Sequence, residues 1–136
     1  MITPHAFRLT QGTDLKENIL QYIQNNQIQA GSLLSCVGCL KKAVIRLADE
    51  SKTIELAGPL EILTLSGTLT PSHVHLHISV ADAKGTVIGG HLVEGSIVSY
   101  TAEICLASFS NLVFSRAFDT ETQFEELTIK LVNSRD

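Results

Sequence analysis

The sequence predicts an α+β sheet protein with one helix and about eight strands, and three observations carry that prediction. Only one stretch has helical periodicity, between Gly12 and Gly31. Beyond it, short runs rich in Val, Ile, Leu and Thr are punctuated by Gly or Asp, which is the pattern of strands. Finally, 136 residues, 44% hydrophobic and 18% charged, suffice for one core and not two, so residues 1–136 are read as a single domain. No repeat, low-complexity tract or linker interrupts the chain.

Taken in order, Arg8 opens the first strand-like segment. In the helix, Leu15, Ile19, Tyr22 and Ile23 recur at spacings of three, four and seven. Thr13 or Asp14 caps its start, with Glu17 completing an Asp-x-x-Glu box in the second case. Lys16, Gln21, Gln24 and Asn25 occupy the other face. Strands are then expected at 33–37, 43–47, 53–57, 60–69, 74–81, 87–93, 96–109 and 125–132. One helix cannot cover both faces of so large a sheet. Association with further copies is the simplest cover, at roughly 25 cal/mol per Å² of apolar surface buried.

Ten Lys+Arg against fourteen Asp+Glu give a formal charge of −4, so the chain carries no net positive field to attract phosphates. Direct DNA binding by bulk charge is therefore not expected. No apolar run is long enough for a membrane span, and Met1 to Leu9 lack the pattern of a secretion signal. Three cysteines are an odd number for a disulfide framework, and the expected location is cytoplasmic.

Four of the five histidines fall within nineteen residues: His73, His75 and His77, then His91. Alternate residues of a strand share a face, so His73, His75 and His77 project together while Val74, Leu76 and Ile78 face the core. Asp82-Ala83-Lys84-Gly85 suits a three-residue hairpin loop, a type I turn with a left-handed Gly. Asp82 then pairs with Thr86, and His77 with His91. A two-residue loop, Lys84-Gly85, would instead turn His91 to the apolar face. In the first register His75, His77 and His91 converge as metal ligands, for Zn²⁺ before other divalent transition metals. Three protein ligands leave a position open to water, which permits hydrolysis without requiring it. Gly89 and Gly90 suit close approach of a ligand or of another backbone. The competing reading is a surface row of histidines, or imidazoles hydrogen-bonded in a subunit interface.

Other candidates have plainer readings. Cys36 and Cys39 form a Cys-x-x-Cys with no following helix and only Cys105 besides, which favours packing over redox or zinc chemistry. Arg8 or Arg46 can hold a small anionic ligand, or simply an ion pair. Asp82 and Glu94 are conceivable general bases, but Asp82 is already the turn residue, and Glu94 faces away from His91 on a regular strand.

Several segments together resemble the plant-and-prokaryote-conserved (PPC) domain. They are Arg8-Leu9 with Gly12 to Leu15, Ser35 to Gly38, Gly58 to Leu63, Leu65 to Thr68, His75 to Asp82 and Gly89 to Gly95. The likeness runs in order from about Phe7 to Leu131. It implies a mixed, mostly antiparallel sheet with one principal helix, a homotrimer, and an intersubunit site lined by the histidines. It also implies zinc in some prokaryotic relatives, carried here onto His75, His77 and His91. Plant relatives couple the domain to AT-hook segments and work in transcription; this sequence has no such hook. Pro59 and Leu60 stand where plant members have Arg and Phe in a partner-contact segment, so that role does not transfer. The leading expectation is a trimeric metal-binding domain with a binding or regulatory role; the alternative is a metal-dependent enzyme acting on a small anionic substrate.

Overall fold

The computed structural model describes residues 1–133. Its elements are β1 (Ile2–Thr10), α1 (Leu15–Asn25), β2 (Gly31–Arg46), β3 (Thr53–Leu69), β4 (Val74–Ala81), β5 (Val87–Leu92), β6 (Ile97–Phe109), β7 (Leu112–Asp119) and β8 (Phe124–Leu131). Six strands form one sheet in the order β1-β6-β2-β3-β4-β5, and β7-β8 is a separate hairpin. Among the described residues every strand pairing is antiparallel, so the sheet lacks the parallel component that a mixed sheet would carry.

Strand β2 organises the sheet. One edge pairs with β3, while the other pairs first with β6 and then, at Ile45 and Arg46, with β5. Strands β2, β3, β4 and β5 therefore close on themselves. Register shifts at Leu33/Ser35, Gly38/Cys39 and Leu40/Lys42 are bulges, which coil a sixteen-residue strand enough to serve three neighbours. The closed ring is filled by Leu40, Ile45, Leu65, Leu69, Val74, Leu76, Val80 and Leu92, all buried.

The helix lies where periodicity puts it. Asp14 caps it, its Oδ1 accepting the Glu17 amide at 3.0 Å, and Leu15, Ile19 and Ile23 are fully buried. Asp14 Oδ2 also accepts the Gly95 amide at 2.7 Å, tying the helix start to the loop after β5.

Among the described residues there are eight strands, but not the eight expected. Segments 33–37 and 43–47 are one strand, because Gly38, Lys41 and Lys42 lie at bulges and not at a turn. Segments 53–57 and 60–69 are likewise continuous: register runs from Lys42↔Ala57 to Leu40↔Leu60, and Pro59 falls in the bulge, where a missing N–H does no harm. Two strands make up the number. The first strand starts at Ile2, ahead of Arg8; Pro4 is tolerated because β1 is an edge paired only with β6. Strand β7 was not expected at all. It docks through the buried Phe114, whose amide donates to the Gln29 carbonyl at 3.0 Å.

Candidate metal centre

The reversal between β4 and β5 is the three-residue loop. The Asp82 amide donates to Thr86 O, the Gly85 amide donates to Asp82 O, and Gly85 has φ +82°. Asp82 Oδ1 accepts the amides of Lys84 and Thr86, which commits this carboxylate to the turn. Register follows: His77 pairs with His91, and His91 pairs in turn with Arg46 on β2. Ser66, His77, His91 and Arg46 thus form one row across four strands, with His75 opposite Thr68 in the next. Val74, Leu76 and Ile78 are buried on the opposite face.

Glycines make this row possible. A Cβ on Gly90 would stand 2.6 Å from Arg46 O and 2.7 Å from Ile45 Cγ2, so only glycine lets β5 close against β2. A Cβ on Gly67 would overlap the carbonyl oxygen of His75. Gly89 and Gly90 both serve close approach of another backbone, and both also line a cavity of about 460 Å³ beside His75, His77 and His91.

One potential ligand atom from each of His75, His77 and His91 lies within 4.8 Å of the others. Their ring centroids are 5.1, 5.2 and 5.9 Å apart. Nitrogen ligands on tetrahedral zinc stand about 3.4 Å apart, given Zn–N of about 2.1 Å, so small side-chain rotations would draw these three in. Two features suit a metal. The Nδ1 atom of His91 is buried with no hydrogen-bond partner, an orphaned group that a cation would satisfy. Burial, followed by the charge of Arg46, pushes the His91 pKa down to about 4; burial and then Arg116 lower that of His75. Both are therefore neutral at pH 7, the form that ligates.

His73 stands just before β4, its ring centroid 6.4 Å from that of His75, and lies outside the ligating group. Burial and then Arg116 lower its pKa as well. It lines a second cavity of about 640 Å³ with His75, His91, Lys16, Arg46 and Arg116. Lys16 comes from α1 and pairs at 3.3 Å with Glu94, in the loop past β5. Arg8 is not brought to the histidines. It projects from the edge strand β1, its Nε donating to Thr101 Oγ1 at 2.9 Å and its guanidinium to the Tyr100 carbonyl at 3.2 Å. Cys36 is buried, its thiol pushed up to about 12 by burial and then by Glu103; Cys39 donates to Ser99 O; Cys105 is exposed.

Arg116 is the site residue the sequence reading missed. Its NH2 group donates to Thr68 Oγ1 at 3.3 Å, beside His75, while its Nε is buried without a partner. The alternation Leu112, Phe114, Phe118 is the signal that could have revealed its strand and put Arg116 on the same face.

The histidines thus sit as a three-nitrogen group on the outer face of a small closed antiparallel sheet, and known proteins place that architecture. Residues 1–110 match the Plants and Prokaryotes Conserved (PCC) domain, and the chain belongs to that family. It is 45% identical over 128 residues to the bifunctional protein GlmU of Synechococcus sp. (strain JA-3-3Ab), covering 94% of this chain but 21% of that relative. Among solved structures, a hypothetical protein from Salmonella enterica superposes with a TM-score of 0.93 at 31% identity, covering 96% of this chain and 95% of that one. A metal-containing protein from Archaeoglobus fulgidus superposes with a TM-score of 0.80 at 30% identity, covering 93% of each chain.

Proposed function

We propose that this chain is a zinc-binding PCC domain in which His75, His77 and His91 hold the ion, and that it assembles as a homotrimer with a binding or regulatory role. The convergence of three ligand atoms within 4.8 Å on a face otherwise backed by core carries the proposal. The orphaned Nδ1 of His91 and the metal-containing Archaeoglobus relative support it. When bound, zinc supplies a Lewis acid with a coordination position the protein leaves open. The chain's own contribution is orientation: the β4–β5 register sets His77 against His91, and the β2–β5 closure fixes His91 against Arg46.

Self-association is supported by the apolar surface one chain leaves uncovered. Leu34, Val37, Leu63 and Tyr100 on the large sheet, and Ile129 and Leu131 on the hairpin, are all exposed. Elemental analysis of untagged protein purified without chelator, beside a His75→Ala/His77→Ala/His91→Ala variant, tests the metal site. Wild type should carry near-stoichiometric zinc and the variant none; equal metal content in both would end the assignment. Light scattering tests assembly, with a trimer weighing three times the 14.7 kDa chain.

A further inference from the structure

We infer that Arg46 and Arg116 form an oxyanion subsite beside the histidines, one that takes a small molecule bearing a carboxylate or phosphate group. This deepens the proposed metal-binding function by naming the ligand class of the same site, but the subsite is built from different residues. Arg46 reaches it from β2, paired in register with His91; Arg116 reaches it from the β7–β8 hairpin, donating to the Thr68 that pairs with His75. The two guanidinium groups are thus carried to the histidine site by separate elements. Both arginines line the cavity of about 640 Å³ together with His73, His75 and His91, a volume suited to a small ligand.

Among the described residues neither arginine has an ionic partner. The ion pairs among them are Lys16–Glu94 and Lys42–Glu55, and neither involves a guanidinium. The Nε of Arg116 is withdrawn from water without an acceptor, a costly state for a charged donor, and an oxyanion oxygen would relieve it. A planar fork of N–H donors matches carboxylate and phosphate geometry, which a lysine would not do as well. The same cavity is rimmed by exposed Glu50, Glu125 and Glu126. These carboxylates repel an extended polyanion, so the fit is to a single oxyanion group on a small molecule and not to a nucleic-acid backbone.

Calorimetric titration of inorganic phosphate, and separately of acetate, tests the inference. The samples are wild type, both metal-free and zinc-loaded, Arg46→Gln, Arg116→Gln, the triple histidine variant, and Lys41→Gln as a charge-matched control. Saturable binding of at least one anion is expected, weakened on the order of tenfold in each arginine variant, as loss of a charge-assisted bond requires, and unchanged in Lys41→Gln. Phosphate without acetate assigns a phosphoryl ligand; acetate without phosphate assigns a carboxylate. Should Arg116→Gln fail to fold by circular dichroism, Arg116→Lys replaces it: the charge stays, the fork is lost, and binding should still weaken. Zinc held by the histidines, with anion binding absent or indifferent to both arginines, overturns the subsite alone. Arginine-dependent anion binding in a wild-type protein that takes up no zinc when the ion is supplied overturns the metal reading and leaves the subsite standing.

Discussion

Gly90→Ala asks whether the closure of β2 onto β5 is what holds His91 in place. The added Cβ would lie 2.6 Å from Arg46 O, whereas ordinary contacts begin at 3.4 Å, so the two strands must part by about 0.8 Å. Overpacking of this size costs about 1–3 kcal/mol, which in a chain of this length lowers Tm by about 4–10 °C. The larger consequence is local. His91 is the next residue on β5, and a metal site tolerates displacements of only about 0.2 Å, so zinc affinity should fall about tenfold or more. Thermal melts of metal-free protein measure the first effect, and zinc competition against a chromophoric chelator measures the second. Gly12→Ala is the control: φ is +88° there, so alanine costs roughly 1–2 kcal/mol of strain, but nothing lies within 4 Å of the new Cβ. It should melt lower and keep its zinc affinity. If Gly90→Ala also bound zinc like wild type, the closure would not be what positions His91, and the reasoning would fail.

Three further outcomes follow from the same structure. In metal-free protein the His91 pKa falls from 6.5 unfolded to about 4 folded, so the unfolded chain takes up its proton first. Stability should be level above about pH 6.5 and decline as pH drops from there to about 4; denaturant midpoints across that range, with a shallower decline in His91→Asn, check the sign. Ser96→Ala removes a buried hydroxyl that accepts the Val44 amide at 2.9 Å and donates to Val93 O at 3.0 Å. Leaving that amide unpaired should cost about 1–3 kcal/mol in urea unfolding, and a smaller loss would mean that water replaces the hydroxyl. Iodoacetamide labelling followed by mass spectrometry should modify the exposed Cys105 readily and the buried Cys36, its thiol near 12, only on unfolding. Equal rates in folded protein would contradict the burial.

What the sequence revealed of the fold depended on whether local pattern and tertiary structure agreed. The helix was visible because its apolar stripe and Asp14 cap are local and act together. Strands β4 and β5 were visible because alternation and a specific turn define them without reference to the rest of the chain. The long strands were not. Gly38, Gly58 and Pro59 have the chemistry of turns, yet each lies in a bulge that bends β2 and β3 around the ring. A bulge is defined by the residue opposite, and that residue is distant in sequence. That β1 can hold Pro4 is likewise visible only from the sheet order, which makes β1 an edge.

The site divides along the same line. The meeting of His75, His77 and His91 could be worked out from one hairpin, because the contact order is low and a single turn type sets the register. Arg46 could be named as a candidate, but its place beside His91 comes from a two-residue pairing that closes the ring, which no local signal encodes. Arg8 looked equivalent on paper and lies on the opposite margin of the sheet, bonded to Thr101. Arg116 arrives from a hairpin whose one buried side chain among the described residues is Phe114, so its place beside His75 is set by the docking of a segment far in sequence from β4 and β5, which no local pattern encodes.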